Sequence, residues 1–245
     1  TITRRRFLTL GRDLSILAAW SSLVAPSGGE PRWPSDPFSL GIASGDPWPT
    51  GVVLWTWLDT AIVAQTGNAS RSVRVRWELS EDDRFQRVVQ RGTVSAVPDL
   101  GHSVHVEVDG LRPDRHYWYR FATGTSVSPI GRTRTAPDAA VSSFRFAFAS
   151  CQNYENGLYT SLGHLAEEDL RLIVHLGDYI YEGGIGRRGP RHHNSPEVET
   201  LDQYRERYRL YKSDPQLQAA HAAYPWVLTW DDHELSNDYA GVTNT

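Results

Sequence analysis

The sequence predicts an α+β protein of two domains, an immunoglobulin- or fibronectin-like β-sandwich followed by an incomplete α/β domain. About seven short strand-like runs of alternating polarity lie between residues 38 and 135, which is typical of a sandwich. After residue 140 the pattern changes to apolar runs that alternate with helical stretches, which indicates an α/β arrangement. The length of 245 residues suits two domains of modest size.

The composition is that of an ordinary globular protein, with 40% hydrophobic and 22% charged residues. A formal net charge of -4 gives no reason to expect a nucleic acid as a specific partner. The single cysteine, Cys151, excludes an internal disulfide framework and indicates a free thiol or a metal ligand. The sequence contains no Met, so the initiator is expected to be absent. It also stops directly after its richest motif, so we expect the C-terminal part of a longer protein to be missing.

Residues 1–30 have the layout of a cleavable export signal. The sequence TRRRFLT at 3–9 matches the twin-arginine pattern, and the apolar segment at 14–25 is shorter than the roughly 20 residues that span a bilayer. Small residues and PSGG at 26–29 follow, as in a signal segment. A short amphipathic helix is the alternative. We expect the twin-arginine translocation machinery as a partner, no stable membrane span, and a periplasmic or extracellular location.

The first predicted domain is the β-sandwich at 36–137. Its strand-like runs are 38–43, 52–57, 73–78, 88–94, 104–108, 116–121 and 131–135. Gly, Pro, Asp and Asn separate these runs, as expected for turns. The segment 108–120 is similar to the late corner of a fibronectin type III module. No constellation of chemical groups stands out here, so the domain is expected to serve as scaffold or lid.

The second predicted domain, 141–245, contains three apolar runs, at 144–149, 170–176 and 226–230. Such runs predict buried strands of a sheet that is covered on both faces. Helices are predicted at 156–169 and 199–211. Because ligands of such sheets gather just beyond the strand ends, the residues that follow each run are the candidate site.

Three residues after the first two runs have the chemistry of metal ligands. Cys151 is expected to be buried at a strand end, where a thiol is usually core filler but beside a trivalent cation becomes a thiolate ligand. Asp178 follows Gly177, which lets the chain turn, and a carboxylate can bridge two metals. Tyr181 needs a strongly Lewis-acidic metal to become a phenolate. Thiolate, phenolate and carboxylate together favour ferric iron over zinc or magnesium.

The third run ends in the sequence DDHE at 231–234, which adds acidic ligands and an imidazole. A helix N-terminus with acids that suit its dipole is the structural alternative. His233 is suited to contact a substrate oxyanion or to orient a leaving group. Asn237 and Asp238, one turn further, are candidate oxygen donors to a second metal. His175, inside the second run, is expected to be a satisfied core histidine.

These motifs resemble those of the PhoD-type alkaline phosphatases. The matching segments are SCQ at 150–152, GDYIYE at 177–182 and WDDHE at 230–234. The segments 38–47 and 53–56 are similar to the start of that family's N-terminal β-sandwich domain. The resemblance implies a metallophosphoesterase fold for the second domain and hydrolysis of phosphate monoesters, with diesters as a wider class. It also implies Fe3+ and Ca2+ as cofactors.

The resemblance also implies a ligand set. Cys151, Asp178 and Tyr181 would bind iron, with Asp178 bridging to calcium. Asp232 stands where related metallophosphoesterases place an amide ligand, and it is therefore assigned to the metal site. The later metal ligands of the family lie beyond residue 245, so the chain is expected to hold only part of the site.

The substrate contacts implied by the resemblance are His233, which matches a histidine near the substrate phosphate, and Asn237, a calcium or phosphate contact. The implied mechanism is in-line attack at phosphorus by an activated hydroxide or with substrate assistance, while the cations neutralise the developing charge. The leading hypothesis is therefore a secreted alkaline phosphatase, a phosphoric ester hydrolase that releases inorganic phosphate.

Three alternatives stay open. A phosphodiesterase or phospholipase on the same scaffold differs in pocket depth, which the sequence does not reveal. An exported binding protein that uses its β-sandwich for adhesion would not need Cys151, Asp178, Tyr181 and Asp232. An inactive product of a truncated gene is the third alternative.

Overall fold

The computed structural model describes residues 31–186 and 188–239. The predicted signal segment at 1–30 lies outside the described residues. The chain divides into two compact units, Thr1–Asp138 and Ala139–Thr245. Among the helices that the structure describes, none is both long and apolar enough to cross a membrane.

The first unit contains eight described strands and one described α-helix. The strands are β1 Ile42–Trp48, β2 Gly51–Trp57, β3 Val73–Ser80, β4 Val88–Ala96, β5 Ser103–Val108, β6 His116–Thr123, β7 Ser126–Val127 and β8 Gly131–Arg134, and the helix is α1 Thr60–Gln65. Antiparallel pairs join β5, β2 and β1 in that order, and β4, β3 and β6 likewise, while β7 and β8 both pair with β6. The predicted β-sandwich is confirmed.

Alternation along the strands builds the core of this unit. On β5, Val104, Val106 and Val108 are buried while His105 and Glu107 are exposed. Successive side chains of a strand point to opposite faces, so one face of β5 packs inward and the other meets solvent. The alternation of apolar and polar residues along the sequence of β5 therefore matches the alternation of buried and exposed side chains.

Two details of the first unit differ from the prediction. The strand expected at 38–43 lies instead at Ile42–Trp48. A turn precedes it, in which the N–H of Gly41 donates to the carbonyl of Phe38, and its pairing with β2 continues past an irregularity between Gly45 and Trp48. Helix α1 was not predicted. Asp59 caps it, since its carboxylate accepts hydrogen bonds from the first backbone N–H groups of the helix.

The second unit contains a parallel sheet and three described α-helices. Its strands are β9 Phe146–Ala149, β10 Leu172–His175 and β11 Pro225–Leu228, in the order β11-β10-β9, and its helices are α2 Thr160–Leu165, α3 Leu201–Lys212 and α4 Pro215–Ala223. The α/β arrangement agrees with the prediction. The carboxyl ends of all three strands meet at one edge of the sheet, which brings the three motifs to the same side of this unit.

The sheet of the second unit is covered on one face. Ile173 and Trp226 are in register and fully buried, and the helices supply Tyr211, Leu217 and Ala220 to the same core. On β9, Phe146 is 53% and Phe148 is 69% exposed. The prediction of a sheet covered on both faces is wrong for the described residues, because an apolar run shows that side chains are hydrophobic but not what packs on each face.

The helices of this unit differ in how well they were predicted. The helix expected at 199–211 is confirmed as α3, and Thr200 and Gln203 form a capping box at its start. The helix expected at 156–169 is reduced to α2, since Tyr154–Asn156 forms a 3-10 turn before it. Helix α4 was not predicted; it begins with Pro215 after the capping residue Asp214.

Candidate metal centre

A tight turn after β10 presents the first carboxylate. Gly177 has φ +108° and Asp178 has φ +54°, both in the left-handed region that glycine enters most easily. A Cβ on Gly177 would lie 2.5 Å from Cβ of Asp231 and 2.7 Å from its backbone nitrogen. Glycine is therefore required both for the turn and for the close approach of the loop that follows β11.

This approach gathers three side chains that can hold a metal ion. Asp178, Asp232 and His233 each offer a ligand atom, and these atoms all lie within 4.8 Å of one another. The Asp178 side chain is buried, and its Oδ1 has no hydrogen-bond partner among the residues that the structure describes. A buried carboxylate oxygen without a partner is costly unless a cation compensates it. The donor set of two carboxylates and an imidazole fits a metal ion.

Tyr181 lies in contact with this group. Its hydroxyl donates a 3.0 Å hydrogen bond to Oδ2 of Asp178, and its ring centroid is 4.1 Å from that of His233. Burial raises the pKa of Tyr181, and the hydrogen bond to Asp178 and that carboxylate's charge raise it further. The protein alone therefore keeps the phenol protonated, and a phenolate here requires a nearby cation.

Cys151 is exposed, which corrects the expectation of a buried thiol. It follows β9, whose side chains at 146 and 148 are themselves exposed, so the described elements do not cover it. Its backbone N–H donates to the carbonyl of Gly177 at 3.2 Å, and that of Gln152 donates to Asp178 at 3.0 Å. The thiol also contributes to the raised pKa of Tyr181. The structure thus places Cys151 beside the Asp178 turn.

His233 is held by Glu182, whose side chain is buried. The His233 Nδ1 lies 2.8 Å from Oε2 of Glu182. Burial alone would lower the pKa of His233, but the hydrogen bond and charge of Glu182 outweigh it, and the net pKa is raised. Because a carboxylate only accepts, Nδ1 carries the proton toward Glu182, and Nε2 is the nitrogen left for a metal ion or a substrate oxygen.

The loop from 232 to 238 holds the remaining predicted residues. The backbone N–H of Asp238 donates to Asp232 Oδ2 at 2.5 Å, and this bond lowers the pKa of Asp232. The side chain of Asn237 donates to Oδ2 of Asp238 at 2.8 Å. Asn237 is therefore in the same loop as the candidate ligands, with its amide group bound to Asp238.

Two residues that the sequence analysis did not assign support the site. Glu182 ends the GDYIYE motif at 177–182, and Glu234 ends the acidic motif at 231–234. The Glu234 carboxylate accepts from the backbone N–H groups of Asp178 and Tyr179. Their position at the end of each motif was a signal, because an acid next to proposed ligands is common around metal sites.

His175 is buried at the end of β10, as expected, but it is not satisfied. Neither of its ring nitrogens has a hydrogen-bond partner within the described ranges. Its ring lies 5.2 Å from the ring of Tyr179 and 6.2 Å from that of Trp226, measured between centroids. Burial lowers its pKa to about 4, against a smaller opposing effect from Asp178. The imidazole is a neutral core group.

Comparisons with known proteins identify the family of the chain. The family profile described as PhoD-like phosphatase matches residues 146–245, and the one described as PhoD-like phosphatase, N-terminal domain, matches residues 23–137. Alkaline phosphatase D of Bacillus subtilis (strain 168) is 48% identical over 252 residues, which cover 98% of this chain and 43% of that protein.

A more distant relative is purple acid phosphatase 23 of Arabidopsis thaliana, which is 26% identical over 149 residues, or 57% of this chain and 32% of that protein. A solved structure of PhoD superposes with a TM-score of 0.82 at 52% identity, covering 86% of this chain and 42% of that chain. The chain therefore spans less than half the length of these relatives. Its two matched regions, its sequence identity and its fold show that the chain belongs to the PhoD-like phosphatases.

Proposed function

We propose that the chain is part of a metal-dependent alkaline phosphatase that hydrolyses phosphate monoesters and releases inorganic phosphate. The observation that carries this proposal is the group formed by Asp178, Asp232 and His233, in which a buried carboxylate oxygen has no partner in the described part of the chain. The 48% identity with alkaline phosphatase D supports the reaction class. Since the chain covers 43% of that relative, further ligands are proposed to belong to the part it does not cover.

The proposed metals are ferric iron and calcium. Cys151, Asp178 and Tyr181 would hold the iron, Asp178 would also contribute to the calcium site, and Asp232 would be a further metal ligand. When bound, such a pair polarises the phosphoryl group and neutralises the charge that develops at phosphorus. The unpartnered Oδ1 of Asp178 supports a cation at this place, and the thiol and phenol supply the ligand types that favour iron.

The remaining roles belong to the protein's own groups. His233 belongs to the group that can hold a metal ion, and when no metal ion is bound to its Nε2, the pKa raised by Glu182 suits it to donate a proton or a hydrogen bond to a phosphate oxygen or to the leaving group. Asn237 is proposed as a phosphate or calcium contact. This role requires its amide to exchange the hydrogen bond that it donates to Asp238.

We also propose export and a domain division. The twin-arginine sequence at 3–9 within the segment 1–30 supports export by the twin-arginine machinery to a periplasmic or extracellular location. Residues 36–137 are proposed as the sandwich domain and 141–245 as the start of the catalytic domain. Replacing Arg4 and Arg5 by Lys should keep a tagged protein in the cytoplasm; continued export would contradict the proposed route.

The experiment that tests the metal site is metal analysis with a visible absorption spectrum of the purified chain expressed with iron and calcium. We expect bound iron and a phenolate-to-iron absorption band that Tyr181→Phe abolishes. Tyr208→Phe is the matched control, because Tyr208 lies on α3 of the same unit and outside the ligand group, and it should keep the band. A folded, iron-supplied protein without colour would contradict the proposed iron site.

The reaction class is tested on a longer protein that contains the proposed further ligands, by comparing p-nitrophenyl phosphate with bis-p-nitrophenyl phosphate as substrates. Faster hydrolysis of the monoester, lost in Asp178→Asn, is the expected result. Preference for the diester would replace the proposed monoesterase by a phosphodiesterase on the same scaffold.

A further inference from the structure

The motif GDYIYE at 177–182 and the motif DDHE at 231–234 each end in a glutamate whose side chain binds the other motif; they are called the first and the second motif below. Glu182, at the end of the first motif, accepts from Nδ1 of His233 at 2.8 Å in the second. Glu234, at the end of the second motif, accepts from the backbone N–H of Asp178 at 3.1 Å in the first. We refer to Glu182 and Glu234 as the glutamate pair. Together they connect the loop after β10 to the loop after β11 in both directions.

The carboxylate of Glu234 accepts hydrogen bonds from successive backbone N–H groups of the first motif. The left-handed conformations of Gly177 and Asp178 turn successive N–H groups to one side, an arrangement that binds anions. Glu234 accepts there from Asp178 at 3.1 Å and from Tyr179 at 2.5 Å, and it also accepts from Asp231 in its own loop at 2.7 Å. The backbone that carries the Asp178 carboxylate is therefore fixed by two charge-assisted hydrogen bonds, and the third holds Glu234 in its own loop.

Glu182 fixes the second motif with both of its oxygens. Oε2 binds the imidazole of His233, and Oε1 accepts from the backbone N–H of Asn237 at 2.6 Å. The carboxylate is buried, so these contacts are shielded from water and the ring has one favoured orientation. A carboxylate that holds a histidine by one ring nitrogen sets the tautomer and leaves the other nitrogen for a ligand.

Among the described glutamates of the unit, Glu155 is also buried and accepts from backbone N–H groups, but these belong to Gly186 and His193, which are not candidate ligands. Glu206 is exposed and pairs with Arg209 on its own helix, an arrangement that contributes little to stability. The glutamate pair instead consists of acids that contact the candidate ligands directly. We propose that Glu234 and Glu182 are positioning residues, Glu234 for the carboxylate of Asp178 and Glu182 for the imidazole of His233. This inference rests on the proposed metal-dependent function.

The test is a Co2+ titration of the metal-free full chain, followed by the ligand-field absorption of the bound ion. We expect Glu234→Ala and Glu182→Ala to weaken Co2+ binding by about 10- to 100-fold and to change the band shape at saturation. Glu234→Gln and Glu182→Gln should restore part of the affinity, because the amide carbonyl keeps one acceptor. Glu206→Gln is the control and should titrate like the wild type.

The outcomes separate the two proposals. Absence of Co2+ binding by the folded wild type would overturn the proposed metal site, and the inference with it. Wild-type affinity and band shape in folded alanine variants would overturn the inference alone. Far-UV circular dichroism checks folding; if both the alanine and the glutamine variants fail to fold, the glutamates are structural and the positioning role is wrong. A change of band at saturation, with partial recovery in the glutamine variants, supports positioning.

Discussion

The hydroxyl of Tyr181 donates a 3.0 Å hydrogen bond to Oδ2 of Asp178, whereas Oδ1 of the same carboxylate has no partner within residues 31–186 and 188–239. The described part of the protein thus supplies a hydrogen bond to Oδ2 but none to Oδ1. A buried, half-satisfied carboxylate lowers stability when no cation is present, and such costs are concentrated at functional sites. This relationship leads to a prediction in which stability and metal binding change in opposite directions.

Asp178→Asn should stabilise the metal-free chain by about 1–2 kcal/mol, because it removes a buried charge while its carbonyl still accepts from Tyr181. The same substitution should abolish the increase in stability that Co2+ gives the wild type. Urea unfolding with and without Co2+ measures both effects. If Asp178→Asn destabilised the metal-free chain, the carboxylate would have a structural role instead.

Gly177→Ala should cost more than about 2 kcal/mol and weaken metal binding, because the added Cβ meets Asp231 and the φ of +108° disfavours any side chain. Gly183→Ala is the control from the same motif region. A Cβ at Gly183 meets no heavy atom within 4 Å in the part of the chain that the structure describes, so its effect should stay within about 0.5 kcal/mol. Equal unfolding free energies of the two variants in urea would contradict the proposed crowding at Gly177.

Ile173→Ala should cost about 2–5 kcal/mol, since Ile173 is fully buried under the helices of the second unit. Phe148→Ala should change stability by less than about 1 kcal/mol, because the ring is 69% exposed on the opposite face of the sheet. The free energy of unfolding in urea measures both. A large cost of Phe148→Ala would show that this face is packed in solution.

Stability should fall as the pH drops below about 6.5, the ordinary pKa of histidine. Burial lowers the folded-state pKa of His175 to about 4 and that of His221 well below its usual value. Between the folded-state pKa of about 4 and the ordinary pKa of about 6.5, the unfolded chain binds more protons at His175 than the folded chain does, so acid favours unfolding. For His175 alone the loss between pH 7 and pH 4 is about 3 kcal/mol.

Urea unfolding at several pH values between 4 and 8 tests this dependence. His175→Phe should flatten it, whereas His105→Phe should not, because His105 is exposed. His233 acts in the opposite sense, since its pKa is raised and its contribution is lost as the pH increases. An unchanged slope in His175→Phe would contradict a neutral buried imidazole.

Several features of the fold and the candidate site could be predicted because they depend on short segments. The alternation of Val104, Val106 and Val108 was enough to predict a half-buried strand, and the helical pattern at 199–211 was enough to predict α3. The expected turn at Gly177 needed only the glycine and the end of an apolar run. The strand at Ile42–Trp48 was misplaced because its limits depend on pairing with β2, which lies later in the chain.

By itself, the sequence determined the two-domain α+β class, the three motifs at strand ends, and the ligand types that they offer. Only the tertiary structure decided that Cys151 is exposed, that the helices cover one face of the sheet, and that Glu182 and Glu234 bind across the two motifs. The physical reason is that side-chain chemistry and backbone preference act over a few residues. Burial and hydrogen-bond partners instead depend on which distant segments fold against one another.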